Sequence, residues 1–426
     1  MRKGTEKVKS RKRSAKPKEH STVTEISRKN KIKGRKHRIA SKISRSVSAV
    51  KAINVPRTDF GIMIMTVILL VLGVLMVFSA SYYSELSKGR SPYGFLIKNA
   101  GLSTVGALIM IGISYVDYRV YKRYSKLIML VSIGLLALVF TPFGITINNA
   151  RRWINLGITI MPGEIAKVAG IIFVSAILSK KGLDVNSPKR SLLPIGIVIA
   201  IYVWMIMKQP NMSTAMTIVF IIGAITFIAG LNKIYFIGAI GIGATGAAAL
   251  ILSGGYRVAR VMTFLDPFKD PTGESTQVVA SLLALGSGGI LGKGPGGSIQ
   301  KALYLPEPQT DFILAIIGEE LGFVGIVAMV GVFTILIWRG LRVALRAQDR
   351  FGMLMASGIV MMIGIQVLLN IAIVTSSMPA TGVALPFVSY GGNATWVYCA
   401  AVGILLNIAR HSKKPIAKRQ YIGDDS

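Results

Sequence analysis

Phe60-Gly-Ile-Met-Ile-Met-Thr-Val-Ile-Leu-Leu-Val-Leu-Gly-Val-Leu-Met-Val-Phe-Ser-Ala-Ser-Tyr-Tyr83 runs without a single charge. As a helix it reaches about 36 Å, enough to cross a hydrocarbon core about 30 Å thick. Its apolar residues are continuous rather than alternating, which excludes a barrel strand. Nine further apolar runs follow, at about 95–116, 127–147, 165–178, 192–207, 214–230, 234–252, 312–338, 351–375 and 396–408. The fourth and tenth runs are the shortest. The chain therefore reads as an all-α polytopic membrane protein with about ten transmembrane helices. Its large extracytoplasmic loop, about 253–311, falls between helices 7 and 8.

Composition agrees. Of the 426 residues, 52% are hydrophobic and only 16% charged, and the mean hydropathy is +0.57. Soluble domains carry about 25% charge, so a water-soluble enzyme is excluded. No internal repeat is evident, and the inverted-repeat signature of many transporters is missing.

The net charge of +32 is concentrated, not spread. Of 50 Lys and Arg, 20 fall at or before Arg57, opposed there only by Glu6, Glu19 and Glu25. Residues 1–58 thus read as a disordered basic cytoplasmic tail beside an anionic membrane, with no nucleic-acid role. The tail lacks the apolar core of a signal peptide and is expected to be retained. Residues 59–410 form the ten-helix membrane domain, and 411–426 a cytoplasmic C-terminal tail. Placing both tails inside makes every inner loop basic, from Arg119 and Lys122 to Arg342 and Arg346, as the positive-inside rule requires.

Candidate chemistry is limited by what is missing. Cys399 is the one cysteine, inside an apolar run, and reads as packing. His20, His37 and His411 all lie in the tails. A histidine triad or metal site in the membrane body is excluded, and a general base is most naturally a carboxylate. Nine carboxylates are outer or intramembrane: Glu85, Glu164, Asp266, Asp270, Glu274, Glu307, Asp311, Glu319 and Glu320.

Two Asp-Pro pairs, Asp266-Pro267 and Asp270-Pro271, lie four residues apart. They read either as two turns or as a fixed carboxylate beside Arg257, Arg260 and Lys269. Gly292-Lys-Gly-Pro-Gly-Gly297 matches G-x-G-x-x-G, but no strand–helix unit surrounds it and no Walker motif follows. It reads as a flexible turn, or as a backbone cradle for a phosphate helped by Lys293. Glu164 and Lys167 are spaced to pair at i, i+3. Glu319 and Glu320 fall about two turns into the eighth span. Such intramembrane groups serve function or structural pairing with equal weight.

Five motifs together resemble the SEDS family (shape, elongation, division and sporulation; FtsW, RodA and SpoVE). They are Asn149-Ala-Arg-Arg-Trp-Ile-Asn-Leu-Gly157, Phe264-Leu-Asp-Pro-Phe-Lys-Asp-Pro271, Leu305-Pro-Glu-Pro-Gln-Thr-Asp-Phe312, Gly318-Glu-Glu-Leu-Gly322 and Leu385-Pro-Phe-Val-Ser-Tyr-Gly-Gly392. The resemblance spans about residues 59–410. The Ala-Arg-Arg-Trp form and the long basic tails are more similar to the FtsW and SpoVE branches than to RodA. Met161-Pro-Gly-Glu164, Gln209-Pro-Asn-Met-Ser213, Gly273-Glu-Ser-Thr-Gln277 and Asn393-Ala394 depart from the family pattern.

The resemblance implies a peptidoglycan glycosyltransferase acting on lipid II at the outer membrane face, at the division septum. A class B penicillin-binding protein transpeptidase would be its partner, with other division or sporulation proteins. The family's essential aspartate falls at Asp270. Arg151, Arg152, Lys293, Glu307, Asp311 and Ser389 are expected around the pyrophosphate or sugar. No cofactor is expected with certainty, but a divalent cation (Mg or Mn) is compatible with the pyrophosphate. The competing readings are a lipid II flippase, which would use Glu164, Lys167, Glu319 and Glu320, and a non-catalytic division scaffold.

Overall fold

A computed structural model describes residues 59–412, except 148–149, 156, 253–257, 259–261, 270–274 and 303. Each of the ten apolar runs contains a helix, although the third, 127–147, is helical only to Leu138. In chain order these are α1 (Phe60–Ser87), α2 (Pro92–Ile113), α4 (Ser125–Leu138), α5 (Pro162–Leu178), α6 (Leu193–Met207), α7 (Met212–Ile228), α8 (Lys233–Leu252), α10 (Ile313–Leu345), α11 (Arg350–Val374) and α12 (Gly392–Arg410). Two further helices, α3 (Tyr118–Arg123) and α9 (Thr276–Gly288), lie in connections.

Six of these helices are long and apolar enough to span a bilayer: α1, α2, α6 with its preceding turn, α10, α11 and α12. The protein is a multi-pass helical membrane protein. Helices α4, α5 and α7, of 14, 17 and 17 residues, reach only about 21–26 Å. Bilayer thinning accommodates such a mismatch at modest cost. The two shortest sequence runs become longer helices than expected. Pro162 starts α5 where a missing N–H costs nothing. Polar Asn393 and Thr395 extend α12 beyond its apolar stretch.

Helix starts follow local chemistry. Asp59 caps α1 by accepting from the Gly61 and Ile62 N–H groups, and Arg339 binds the same carboxylate at 2.7 Å. Asn211 caps α7, and Asp349 caps α11 through Gly352 N–H. Small residues set the closest helix approaches. A Cβ on Gly403 of α12 would stand 2.6 Å from Met110 O of α2, and one on Gly106 would meet Cys399 Sγ at 3.1 Å. Cys399 is a buried packing residue.

The connections sort into two ends. At one end Asn407 of α12 holds Ser114 O and Tyr118 N–H, Tyr118 reaches Asp349, and Arg350 donates to Ala229 O. Burial pushes the Tyr118 hydroxyl above its ordinary range; Arg119 opposes this and Asp349 adds to it. His411, read from sequence as a tail residue, packs edge-on against Tyr118 at this end.

At the opposite end the third apolar run, read from sequence as extending to 147, leaves its helix at Leu138, and the connection to α5 forms a three-stranded antiparallel sheet. Its strands are β1 (Gly144–Ile147), β2 (Ala150–Asn155) and β3 (Thr159–Ile160), in the order β1-β2-β3. Trp153 and Ile154 pair with Ile145 and Gly144. The strands are too short and interrupted for period-2 alternation to have revealed them.

Candidate functional site

The site is assembled at the sheet-bearing end. Arg151 and Arg152 are adjacent on β2. Arg151 Nη2 donates to Thr141 O, and Arg152 Nη2 donates to Pro210 O at 2.6 Å. Asn393 Nδ2 donates to Thr159 O, so the sheet is tied to both the α6–α7 connection and the start of α12. Among the described residues Arg151 is in no ion pair.

The segments that carry Glu307, Asp311 and Ser389 are joined although all of α10 and α11 lies between them in sequence. Tyr390 N–H donates to Gln309 O at 2.8 Å, joining the α9–α10 connection to the α11–α12 connection. Asn370 of α11 donates to both Asp311 O and Val383 O. Gln309 Nε2 donates to Glu307 Oε2 at 2.9 Å. Glu307 has φ 49°, a left-handed conformation uncommon for a non-glycine residue. The Ser389 hydroxyl accepts from Leu385 N–H at 2.8 Å, so one of its bonds closes its own turn.

Glu164 and Lys167 form the expected i, i+3 pair at 2.7 Å, both buried. Lys167 also donates to Tyr398 Oη at 3.1 Å and Gln366 Oε1 at 3.4 Å, while Gln366 Nε2 reaches Ala384 O. This buried cluster lies directly beneath the α11–α12 connection.

Glu319 and Glu320 lie about two turns into α10, as expected, but the helix breaks just after them. Gly322 interrupts α10 with φ 68°, ψ −168°. The glutamates therefore close a short buried segment, 313–321, that precedes the break. The glycine-rich chain after α9 threads through this break. Lys293 and Gly294 N–H donate to Glu319 O and Glu320 O, and Phe323 and Val324 N–H donate to Gly289 O and Ile290 O. The break thus satisfies both sets of backbone groups that an interrupted helix would orphan. A Cβ on Gly292 would stand 2.2 Å from Glu320 O, and one on Gly288 would stand 2.0 Å from Gly318 O. The G-x-G-x-x-G segment is neither a flexible turn nor an open phosphate cradle, because its first N–H groups are spent inside the protein.

The two carboxylates are likewise engaged. Glu319 accepts from Lys293 Nζ (2.7 Å), Ser287, Ser298 and the N–H groups of Ile299 and Gln300. Glu320 accepts from Lys301 Nζ and from Ser79 of α1, each at 2.6 Å. Lys301 and Ser79 were not visible as site residues in sequence. A lysine in a polar connection reads as exposed; two adjacent buried carboxylates, which need two cations, were the available signal.

Asp270 lies outside the described residues. The flanking Asp266 is exposed, its C=O accepting from Lys269 N–H within the 3₁₀ turn Pro267–Lys269. The chain re-enters as α9, which packs on α10. Among the described residues no three of His, Cys, Asp and Glu gather into a metal-holding group.

The model of the cell cycle protein family FtsW/RodA/SpoVE matches residues 60–414. Stage V sporulation protein E of Bacillus subtilis is 41% identical over 358 residues, 83% of this chain and 98% of that protein. A probable peptidoglycan glycosyltransferase FtsW of Geobacter sp. is 37% identical over 82% of this chain and 96% of that protein. A solved peptidoglycan synthase complex, described as coordinating polymerization and crosslinking, contains a chain that is 27% identical. It covers 83% of this chain and 98% of that chain, with a TM-score of 0.69. RodA of Thermus thermophilus, at 24% identity and a TM-score of 0.62 over 84% of this chain and 99% of that chain, shares the fold. The chain belongs to the FtsW/RodA/SpoVE family of cell cycle proteins.

Proposed function

We propose that the protein is a peptidoglycan glycosyltransferase. It polymerises lipid II on the outer face of the bacterial cytoplasmic membrane, for septal wall synthesis, with both termini in the cytoplasm. The observation that carries this reading is 37% identity over an alignment that spans 96% of a relative named for that activity. The geometry supports it: Arg151 and Arg152 of the α4–α5 connection, and Lys293, Glu307 and Asp311 of the α9–α10 connection, lie in connections that are tied to the α11–α12 segment.

In the proposed reaction a sugar 4-hydroxyl attacks an anomeric carbon and expels a lipid pyrophosphate. A hydroxyl is a weak nucleophile, so a base accepts its proton as the new bond forms. Asp270 takes that role on the family match. The leaving pyrophosphate gains negative charge and needs cations aimed at it. Arg151 and Arg152 on β2 are assigned to it, with Lys293, whose side chain is 28% exposed beside Glu319. Glu307, Asp311 and Ser389, gathered at the Gln309–Tyr390 junction, are assigned to the sugars. A class B penicillin-binding protein would crosslink the strands, alongside other division or sporulation proteins.

The flippase reading loses its main support, since Glu164, Lys167, Glu319 and Glu320 are each held in an ion pair within the protein. Purified protein, reconstituted with lipid II and its penicillin-binding partner, decides among the three readings. Glycan chains on a gel are the expected result. Leaflet exchange without chains would establish a flippase, and neither activity a scaffold.

A further inference from the structure

We propose that the membrane-facing groove on α6 binds an anionic glycerophospholipid. Lys189 and Arg190 hold its phosphate, and one acyl chain lies over Gly196 and Ala200. The groove is a shallow, open depression along one helix face, lined by Pro188, Leu192, Leu193, Gly196, Ile197 and Ala200. These residues recur at helical spacing, so they form one stripe down one side. The stripe is a groove because Gly196 and Ala200 carry almost no side chain between the exposed Leu193 and Ile197. A Cβ at Gly196 would meet nothing within 4 Å. Arg190 to Ala200 covers about 15 Å, the depth of one leaflet. Trp204, 64% exposed one turn further on, closes the stripe.

Charge at the head of the groove selects the occupant. The π-helical turn Pro188–Leu192 presents Lys189 and Arg190 to the surface. Lys180 and Lys181 are exposed in the same connection. Asn186 donates to Gly230 O and accepts from Asn232 N–H, which brings Lys233 alongside. Among the described residues none of these five cations is in an ion pair. The one acid of the connection, Asp184, is occupied by Asn186 N–H. A basic connection alone is the ordinary topological signal. An apolar, leaflet-long groove directly beneath it is not required by that signal, and the two together match an anionic lipid.

The test uses the full-length protein in nanodiscs of equal phosphatidylglycerol and phosphatidylcholine, released into a mass spectrometer to count retained lipids. Selective retention of phosphatidylglycerol is expected. Lys189→Ala with Arg190→Ala should lower it on the order of ten- to thirty-fold. Gly196→Leu with Ala200→Leu fills the groove without changing charge, and should lower it to a similar degree. Both positions are exposed and helical, so this variant folds. Lys122→Ala with Arg123→Ala removes two cations elsewhere on the same end and should leave retention unchanged. Equal retention of the two lipids, an unchanged groove-filled variant, or an equal loss in the Lys122/Arg123 control would overturn the proposal.

Discussion

Lys301 Nζ lies 2.6 Å from Glu320 Oε1, with both side chains almost wholly buried and Ser79 of α1 bonded to the same oxygen. One pair thus joins three elements distant in sequence. Breaking a buried pair leaves an uncompensated charge and typically costs about 3–5 kcal/mol. Lys301→Ala should therefore lower the thermal midpoint of the detergent-solubilised protein sharply. Lys301→Met with Glu320→Gln removes both charges and should recover most of the loss. Equal destabilisation by the single and double variants would show that shape, not charge, matters there.

The break in α10 gives a second expectation. Gly322 (φ 68°) and Gly292 (φ 76°) face each other, and a Cβ on either would stand 2.2–2.3 Å from the other segment's backbone. Gly322→Ala and Gly292→Ala should both prevent threading and yield little folded protein. Gly294 also has a positive φ, 89°, but opens into free space. Gly294→Ala should cost only the left-handed penalty, about 1–2 kcal/mol. Yields and midpoints by size-exclusion and thermal fluorescence compare the three directly.

How much of this was legible beforehand differs by element. The apolar runs were decisive, because a bilayer imposes a length and a composition that no folding detail can hide. The Glu164–Lys167 pair followed from spacing alone. The threaded break did not. Gly322 sits inside a continuous apolar pattern, and its φ is fixed by contacts to residues 288–294, some thirty positions earlier. The same non-local contacts decide the fate of Lys293, whose N–H and ammonium both turn toward Glu319. The β1–β3 sheet was missed because its residues pair over short, bulged stretches. Arg151 and Arg152 were readable from a family motif, but their anchoring to Thr141 and Pro210 came only with the fold.

Sidedness is testable with single cysteines. Ile299 is 55% exposed at the sheet-bearing end, and Lys181 is exposed at the other. Native Cys399 is buried and its thiol will stay silent. With the sheet end outward, Ile299→Cys should react with an impermeant thiol reagent in intact cells, and Lys181→Cys only after permeabilisation. The reverse pattern would invert the proposed topology and remove access to an outer-face substrate.

Asp270 is the most direct test of the proposed chemistry. The membrane body offers no histidine, since His411 packs against Tyr118 at the opposite end. Glu319, Glu320 and Glu164 are bound to lysines, so none is available to take a proton from a sugar. Glu307 is engaged by Gln309. That leaves Glu85, Asp311 and the acids of the α8–α9 connection, of which Asp270 is the one that matches the family position. Asp270→Asn preserves size and polarity but removes the base, and base loss typically costs roughly 10²–10⁴-fold in rate. Lipid II polymerisation should fall below detection, while expression, midpoint and capture of the penicillin-binding partner stay unchanged. Asp266→Asn should be milder, because Asp266 is exposed and the bond seen there uses its backbone C=O. Near-normal glycan synthesis by Asp270→Asn would transfer the role to Asp266 or Glu307, and the corresponding amide variants of those two would then separate them.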